Sequence, residues 1–182
     1  MGWTSLGVTF GLGLFFLSSM EGHAKKAVES AITGTEEFSG VVVKVSDGDT
    51  IQVRKGGQGK PVRVRLYGID APEKKQPFSE KCRKMLADQV AGKTVRVWVR
   101  EQDRYGRSIG KVLYSQGKDW KDAGLTLLKS GCAWHYKAFE KRQTLEDRTS
   151  YAAAEIEGRK ARQGVWSDPS QEAPWEFRRK RR

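Results

Sequence analysis

The chain has 182 residues, of which 34 are Lys or Arg and 22 are Asp or Glu, so its formal net charge is +12. This length allows one ordinary domain with tails and a sizeable hydrophobic core, which excludes a miniprotein that depends on disulfides or a metal to fold. The excess of positive charge favours a polyanionic partner, either nucleic acid or an anionic membrane surface.

The N-terminal segment is apolar and carries no ionisable side chain over its first twenty residues. Gly22-His23-Ala24 places small residues where a signal peptidase requires them, which favours export with a cleaved signal peptide over residues 1–24. No Lys or Arg lies near Met1, and the apolar run approaches the ~20 residues of a membrane span. An uncleaved membrane anchor is therefore the second interpretation, and a buried cytosolic helix the third. The first two place the domain outside the cytoplasm, as a periplasmic, secreted or membrane-anchored protein.

After a polar spacer over residues 25–37, alternating apolar and polar residues and β-branched runs predict five strands. They cover residues 41–45, 50–54, 62–66, 94–100 and 108–114. Helical periodicity, with glycine stop signals, predicts three helices over residues 78–90, 122–129 and 147–163. Residues 168–182 form a basic tail that ends in a run of five basic residues, for which we expect disorder.

This order of elements predicts an α+β fold that is mainly β, with a five-stranded OB-fold barrel and three packed helices over residues 38–167. The OB-fold commonly binds oligonucleotides. Trp98, Trp134 and Trp166 lie in or beside apolar runs, which predicts core positions, and His135 is interpreted as structural.

The two cysteines, Cys82 and Cys132, allow two interpretations: a disulfide formed in an oxidising compartment, or two separate buried thiols. The chain has only two histidines and no C-x-x-C or H-x-x-x-H spacing, which argues against a zinc site.

Two aspartates stand at predicted strand ends, where a barrel brings distant parts of the sequence together. Asp49 and Asp70, with a backbone carbonyl, would form an oxygen-only site of the kind that suits Ca2+ or Mg2+. Glu73 follows Pro72 and could activate a water beside such a cation. Taken alone, Asp49 is also a common hairpin-turn residue and Glu73 also fits a solvated loop.

Two arginines and a tyrosine could complete a phosphate site. The guanidinium groups of Arg65 and Arg107 match two phosphate oxygens and would stabilise the charge of a phosphoryl transition state. Tyr105 could donate to a phosphate or stack on a base. The alternatives are surface salt bridges for the arginines and a half-buried strand-edge position for the tyrosine.

Three motifs, over residues 45–50, 65–73 and 103–107, together resemble the staphylococcal nuclease (thermonuclease) family. The similarity covers about residues 38–167, with supporting matches at 131–134 and 164–166. The resemblance implies calcium-dependent cleavage of DNA and RNA that leaves 3′-phosphate ends, by an exported bacterial homologue.

The resemblance also assigns roles to individual residues. Asp49 and Asp70 match the calcium-binding carboxylates, and Ala71 stands where the family's namesake has a threonine that binds through its main-chain carbonyl. The remaining matches are Glu73 for the proposed general base, Arg65 and Arg107 for the phosphate-binding arginines, and Tyr105 for a tyrosine that contacts the nucleotide.

The chain departs from the family pattern at two places. The chain after Glu73 is short, and Lys137, Ala138 and Phe139 lie where the namesake has tyrosines lining the base pocket. The competing hypothesis is a non-catalytic OB-fold module that binds nucleic acid, either free or anchored to a membrane by the N-terminal segment. No protein partner is predicted, and a monomer is expected.

Overall fold

A closed β-barrel forms the centre of the computed structural model, which describes residues 36–181. Five strands pair in the order β3-β2-β1-β5-β6, and a parallel pairing of β3 with β6 closes the ring. The strands are β1 (Glu36–Val45), β2 (Thr50–Lys55), β3 (Val62–Leu66), β4 (Ile69–Asp70), β5 (Thr94–Gln102), β6 (Ser108–Gln116), β7 (Asp119–Asp122) and β8 (Trp134–His135). β7 extends the sheet beyond β6, and β4 pairs with β8 in a separate two-stranded sheet.

Four α-helices lie in the described part of the chain. They are α1 (Ser79–Val90), α2 (Ala123–Lys129), α3 (Leu145–Lys160) and α4 (Pro174–Arg179). Asp122 caps α2 by accepting from the Gly124 N–H at 2.7 Å, and Thr144 caps α3 by accepting from the Asp147 N–H at 3.1 Å. Each cap satisfies a backbone donor that has no partner within its helix.

The core lies inside the barrel and extends to α1, α2 and α3. Strict alternation along β5 turns Val95, Val97 and Val99 inward, where all are buried. The same alternation turns Trp98 outward, where it is 36% exposed, so the prediction of a core position for this residue is wrong. Trp134 is buried and Trp166 is half-buried.

The structure also bears on the interpretations of the two cysteines and of His135. Cys82 and Cys132 are both buried free thiols, but they lie within hydrogen-bond reach of each other rather than apart, so neither interpretation holds in full. His135 is 1% exposed and its Nε2 lies 2.7 Å from the Gln143 Oε1, which agrees with a structural role.

The prediction of an OB-fold barrel with packed helices is confirmed, and each of the five predicted strands and three predicted helices is present. β1 begins at Glu36, so the last two residues assigned to the spacer belong to a strand. The expectation of a disordered C-terminal run is wrong for Arg178 and Arg179, which belong to α4. The proposed signal peptide over residues 1–24 lies outside the described residues.

Within residues 36–181, no helix is long and apolar enough to span a membrane.

Candidate active site

Strand pairing brings the first two motifs together. Thr50 of β2 is the register partner of Arg65 of β3, so Asp49, immediately before β2, lies beside the arginine. β3 leads through a turn at Gly68 into β4, and Asp70 in β4 pairs with Trp134 of β8. Gly68 has φ +71, a left-handed conformation that permits this sharp return of the chain.

Arg65 joins the two aspartates. Its Nη1 donates to Asp49 Oδ2, and its Nη2 donates to Asp70 Oδ1 at 2.8 Å. Asp49 Oδ2 also accepts from the Ala71 N–H at 3.2 Å, and Thr50 Oγ1 donates to Asp49 Oδ1 at 2.9 Å. The two carboxylates, which are 5% and 1% exposed, therefore meet at one guanidinium.

The surroundings change the pKa values of three aspartates in different directions. Burial alone would raise the pKa of Asp49, but the charge of Arg65 and several hydrogen bonds outweigh it and lower that pKa. Burial raises the pKa of Asp70, although Arg178 and Arg65 oppose the change. Burial and the neighbouring charge of Asp49 raise the pKa of Asp47 to about 6.

Glu73 lies at the rim of the same region, two residues after Ala71. Its backbone N–H donates to the side-chain oxygen of Gln76 at 2.9 Å, which fixes the loop after Pro72. Its carboxylate accepts from Arg178 Nη1 at 2.6 Å. The Glu73 side chain is half-buried. It lines the cavity on one side and contacts the C-terminal helix through Arg178 on the other.

The third motif is the turn between β5 and β6. Asp103 accepts from the Arg107 backbone N–H at 2.9 Å and from Arg107 Nε at 2.6 Å, which orients that side chain. Tyr105, at the tip of the turn, is 63% exposed, and its ring lies 5.0 Å from the Arg104 guanidinium and 5.7 Å from that of Arg107. The tyrosine is therefore a solvent-facing aromatic rather than a half-buried one.

The three motifs face one cavity of about 570 Å³. Six of the seven predicted site residues line it: Asp49, Arg65, Ala71, Glu73, Tyr105 and Arg107. Asp70, the seventh, joins the cavity through its bonds to Arg65 and Arg178.

Three residues with a place in the site were not identified from the sequence. Asp47 lines the cavity and accepts from the Asp49 N–H at 3.1 Å, but the Asp-Gly pair indicates only a turn. Gln76 is buried between Glu73 and the C-terminal segment, with no pattern to mark it. Arg178 was assigned to a disordered basic run; the signal that could have placed it is Pro174, a residue favoured at the first position of a helix.

The donor set suits a hard divalent cation. Asp49 and Asp70 supply carboxylate oxygens and Ala71 supplies a backbone carbonyl, which is the oxygen-only chemistry that Ca2+ prefers. Both carboxylates already bind one cationic group, Arg65, so their oxygens lie within reach of a single positive centre. Among residues 36–181, no group of three or more His, Cys, Asp or Glu side chains is arranged to hold a metal ion. A site here would thus rely on the carbonyl, on water and on substrate for its other ligands.

The fold is a five-stranded OB-fold barrel, a class that commonly binds oligonucleotides. The cavity described above holds arginines and a buried carboxylate, a combination that suits a phosphate group. A family model described as staphylococcal nuclease homologue matches residues 63–168. The chain therefore belongs to the staphylococcal nuclease family.

Individual relatives agree with this family. The chain is 40% identical over 148 residues to protein ParB of Escherichia coli, which covers 79% of this chain and 80% of that protein. It is 39% identical over 148 residues to a micrococcal nuclease of Shigella flexneri, covering 79% and 82% of the two chains. It is 41% identical over 123 residues to the staphylococcal-like nuclease CAN1 of Arabidopsis thaliana, covering 68% of this chain but 35% of that protein. The chain thus spans about a third of the plant relative and about four fifths of the bacterial ones.

Proposed function

We propose that this protein is a calcium-dependent endonuclease that hydrolyses phosphodiester bonds of DNA and RNA and leaves 3′-phosphate ends. The observation that carries the proposal is the single cavity that joins two candidate metal ligands, Asp49 and Ala71, with Glu73 and the two arginines. Membership of the staphylococcal nuclease family and the nuclease names of several relatives support the reaction class. The net charge of +12 suits a polyanionic substrate.

Asp49, Asp70 and the Ala71 carbonyl would hold the calcium ion. When bound, the ion would offset the negative charge of the scissile phosphate and favour ionisation of a nearby water. The Asp49 carboxylate is pre-positioned for this role, because burial and the hydrogen bonds from Thr50 and the Ala71 N–H restrict its side chain.

Arg65 and Arg107 would bind the phosphate oxygens. Each side chain is held by a carboxylate, Arg65 by Asp49 and Asp70 and Arg107 by Asp103, so little reorientation is needed when the substrate arrives. Fixed donors of this kind contribute most as negative charge accumulates on the phosphate oxygens in the transition state.

Glu73 would take a proton from the attacking water. Hydrolysis then adds the water oxygen to phosphorus and breaks the bond from phosphorus to the 5′ oxygen. That oxygen leaves as a 5′-hydroxyl after it gains a proton, and the phosphate stays on the 3′ side. Tyr105, exposed at the cavity mouth, would contact the nucleotide through its hydroxyl or its ring.

We propose further that the protein is exported, on the basis of the apolar segment over residues 3–20 and the small residues Gly22 and Ala24. Mass measurement of the mature protein tests this, since a protein that still starts at Met1 would contradict signal-peptide cleavage.

The nuclease proposal is tested by incubating denatured DNA with the full chain in calcium chloride and then in excess EDTA. Asp49→Asn should lose cleavage, because it removes one carboxylate charge at constant size. Asp88→Asn is the matched control, since Asp88 is exposed on α1 outside the cavity. Intact DNA in calcium would overturn the enzymatic function and favour a binding module. Cleavage that survives both EDTA and Asp49→Asn would overturn the role of the metal.

A further inference from the structure

The C-terminal helix α4 carries an arginine into the candidate metal site. Arg178 Nη2 donates to Asp70 Oδ2 at 2.8 Å, and its Nη1 donates to Asp70 Oδ1 at 3.2 Å and to Glu73 Oε1 at 2.6 Å. One guanidinium therefore binds both oxygens of a candidate metal ligand and the candidate base. Arg178 lies beyond residues 63–168, the part of the chain that matches the family model.

Several contacts hold α4 and the residues before it against the rest of the domain. Pro174 is buried at the start of the helix, and the Trp175 ring lies 5.4 Å from that of Tyr136. Gln76 connects the site to the segment that precedes the helix: it accepts from the Glu73 N–H and donates from Nε2 to the Glu172 carbonyl at 2.9 Å. These contacts fix the position of α4, and therefore of Arg178, in the folded domain.

Arg178 and a metal ion would compete for the same oxygens. Each oxygen of Asp70 accepts from Arg178, and Oδ1 also accepts from Arg65. A divalent cation needs at least one lone pair that faces it, and while Arg178 is in place neither oxygen of Asp70 is left without a guanidinium; Arg65 alone would leave Oδ2 available. Asp70 is 1% exposed, so its carboxylate cannot turn away from Arg178 towards solvent.

We propose that Arg178 is a displaceable counter-ion of the metal site, which neutralises Asp70 and Glu73 in the metal-free protein and leaves Asp70 when calcium binds. The proposal rests on the calcium site argued above. Its consequence is that α4 sets the calcium concentration at which the site fills, since every binding event must break the Arg178–Asp70 pair.

The test is the calcium dissociation constant of the full chain, measured by titration calorimetry. Arg178→Gln removes the charge at similar length and should tighten calcium binding about tenfold, which corresponds to about 1.4 kcal/mol. Arg179→Gln is the matched control, because Arg179 is the next residue on α4, pairs with Glu176 and is exposed. It should bind calcium within about twofold of wild type, since an exposed charge that contacts no ligand is screened by solvent.

A second variant separates displacement from a general effect of charge. Trp175→Ala weakens the contact of α4 with Tyr136 and leaves every charge in place, so it too should tighten calcium binding. If Arg178→Gln does not unfold cooperatively as wild type does, Trp175→Ala takes its place in the test.

The outcomes are distinct. Equal calcium affinities for wild type, Arg178→Gln and Arg179→Gln would overturn the role of Arg178 and leave the calcium-dependent nuclease intact. No calcium binding by wild type or by any variant would overturn the calcium site itself, and the role of Arg178 with it. Tighter binding by Arg178→Gln but not by Arg179→Gln is the result that the structure predicts.

Discussion

Thr50 and Arg65 stand opposite each other in the antiparallel pairing of β2 with β3. This register places Asp49 beside the Arg65 guanidinium although the two residues are separated by sixteen positions in the sequence. A slip of one residue would turn Arg65 to the opposite face of the sheet and separate it from Asp49 and Asp70. Strand register in the barrel therefore brings these candidate site residues together.

Loss of either arginine proposed to bind phosphate should slow the chemical step. Arg65→Gln and Arg107→Gln should each lower kcat by about 10²- to 10³-fold, or about 3 to 4 kcal/mol of barrier, by analogy with the loss of an oxyanion donor. Steady-state cleavage of a single-stranded oligonucleotide at saturating calcium measures this. Arg83→Gln is the control, since Arg83 pairs with Glu80 on the surface of α1. An Arg107→Gln enzyme with the wild-type kcat would contradict the assignment.

Loss of the exposed tyrosine should weaken substrate binding more than it slows chemistry. Tyr105→Ala should raise KM by about fivefold or more, because stacking of one base on an aromatic ring contributes about 1 to 3 kcal/mol. Trp120→Ala is a matched control: Trp120 is also exposed and stacked on an arginine, Arg96, but it does not line the cavity. Equal effects of the two substitutions on KM would argue against a contact between Tyr105 and the nucleotide.

Two glycines with left-handed backbones, one crowded and one open, allow the cost of a steric clash to be separated from the cost of backbone strain. A Cβ on Gly131, which has φ +65, would lie 2.0 Å from the Gln163 carbonyl oxygen. Gly92 has φ +71 but no atom within 4 Å of such a Cβ. Gly92→Ala should cost about 1 kcal/mol through its left-handed backbone alone. Gly131→Ala should cost at least about 3 kcal/mol, because the backbone must also move. Urea unfolding measures both, and equal costs would contradict the predicted clash.

The raised pKa of Asp47 predicts a pH-dependent stability. In the folded protein this carboxyl keeps its proton up to about pH 6, against an ordinary pKa of 3.8, so between these values the native state binds more protons than the unfolded state. The free energy of unfolding therefore falls as pH rises through this window. Asp47→Asn, which can still accept from the Asp49 N–H, should be more stable than wild type at pH 7 by about 1 to 3 kcal/mol and similar to it near pH 4. Urea unfolding in EDTA at several pH values measures this, and a difference that does not change with pH would contradict it.

The barrel follows from local sequence patterns, and most of the site follows from the resemblance of three motifs to the staphylococcal nuclease family. Alternation in residues 62–66 identifies the strand that carries Arg65, and the three motifs identify Asp49, Asp70 and Arg107. The outward position of Trp98 was also present in the alternation of β5, which turns Val97 and Val99 inward. The hydrophobicity of the indole ring misled the interpretation there.

The tail could not be placed from local patterns. Arg178 contacts Asp70 across 108 positions of sequence, and no periodicity records a contact of that length. A run of basic residues is typical of a solvated segment. Arg178 differs from its neighbours only because the carboxylates of Asp70 and Glu73 accept hydrogen bonds from it. The raised pKa of Asp47 was also missed, since it depends first on burial in the fold and then on the charge of Asp49.

Calcium titrations of binding and of cleavage under the same conditions test the central claim most directly. The half-maximal rate of cleavage of a single-stranded DNA oligonucleotide should occur at the calcium concentration that half-saturates the protein, and Asp49→Asn should lose both signals. The products should become primers for a polymerase only after phosphatase treatment, because they carry 3′-phosphates. A cleavage rate that is independent of calcium, or a wild-type rate in Asp49→Asn, would contradict the assignment of this cavity as a calcium-dependent nuclease site.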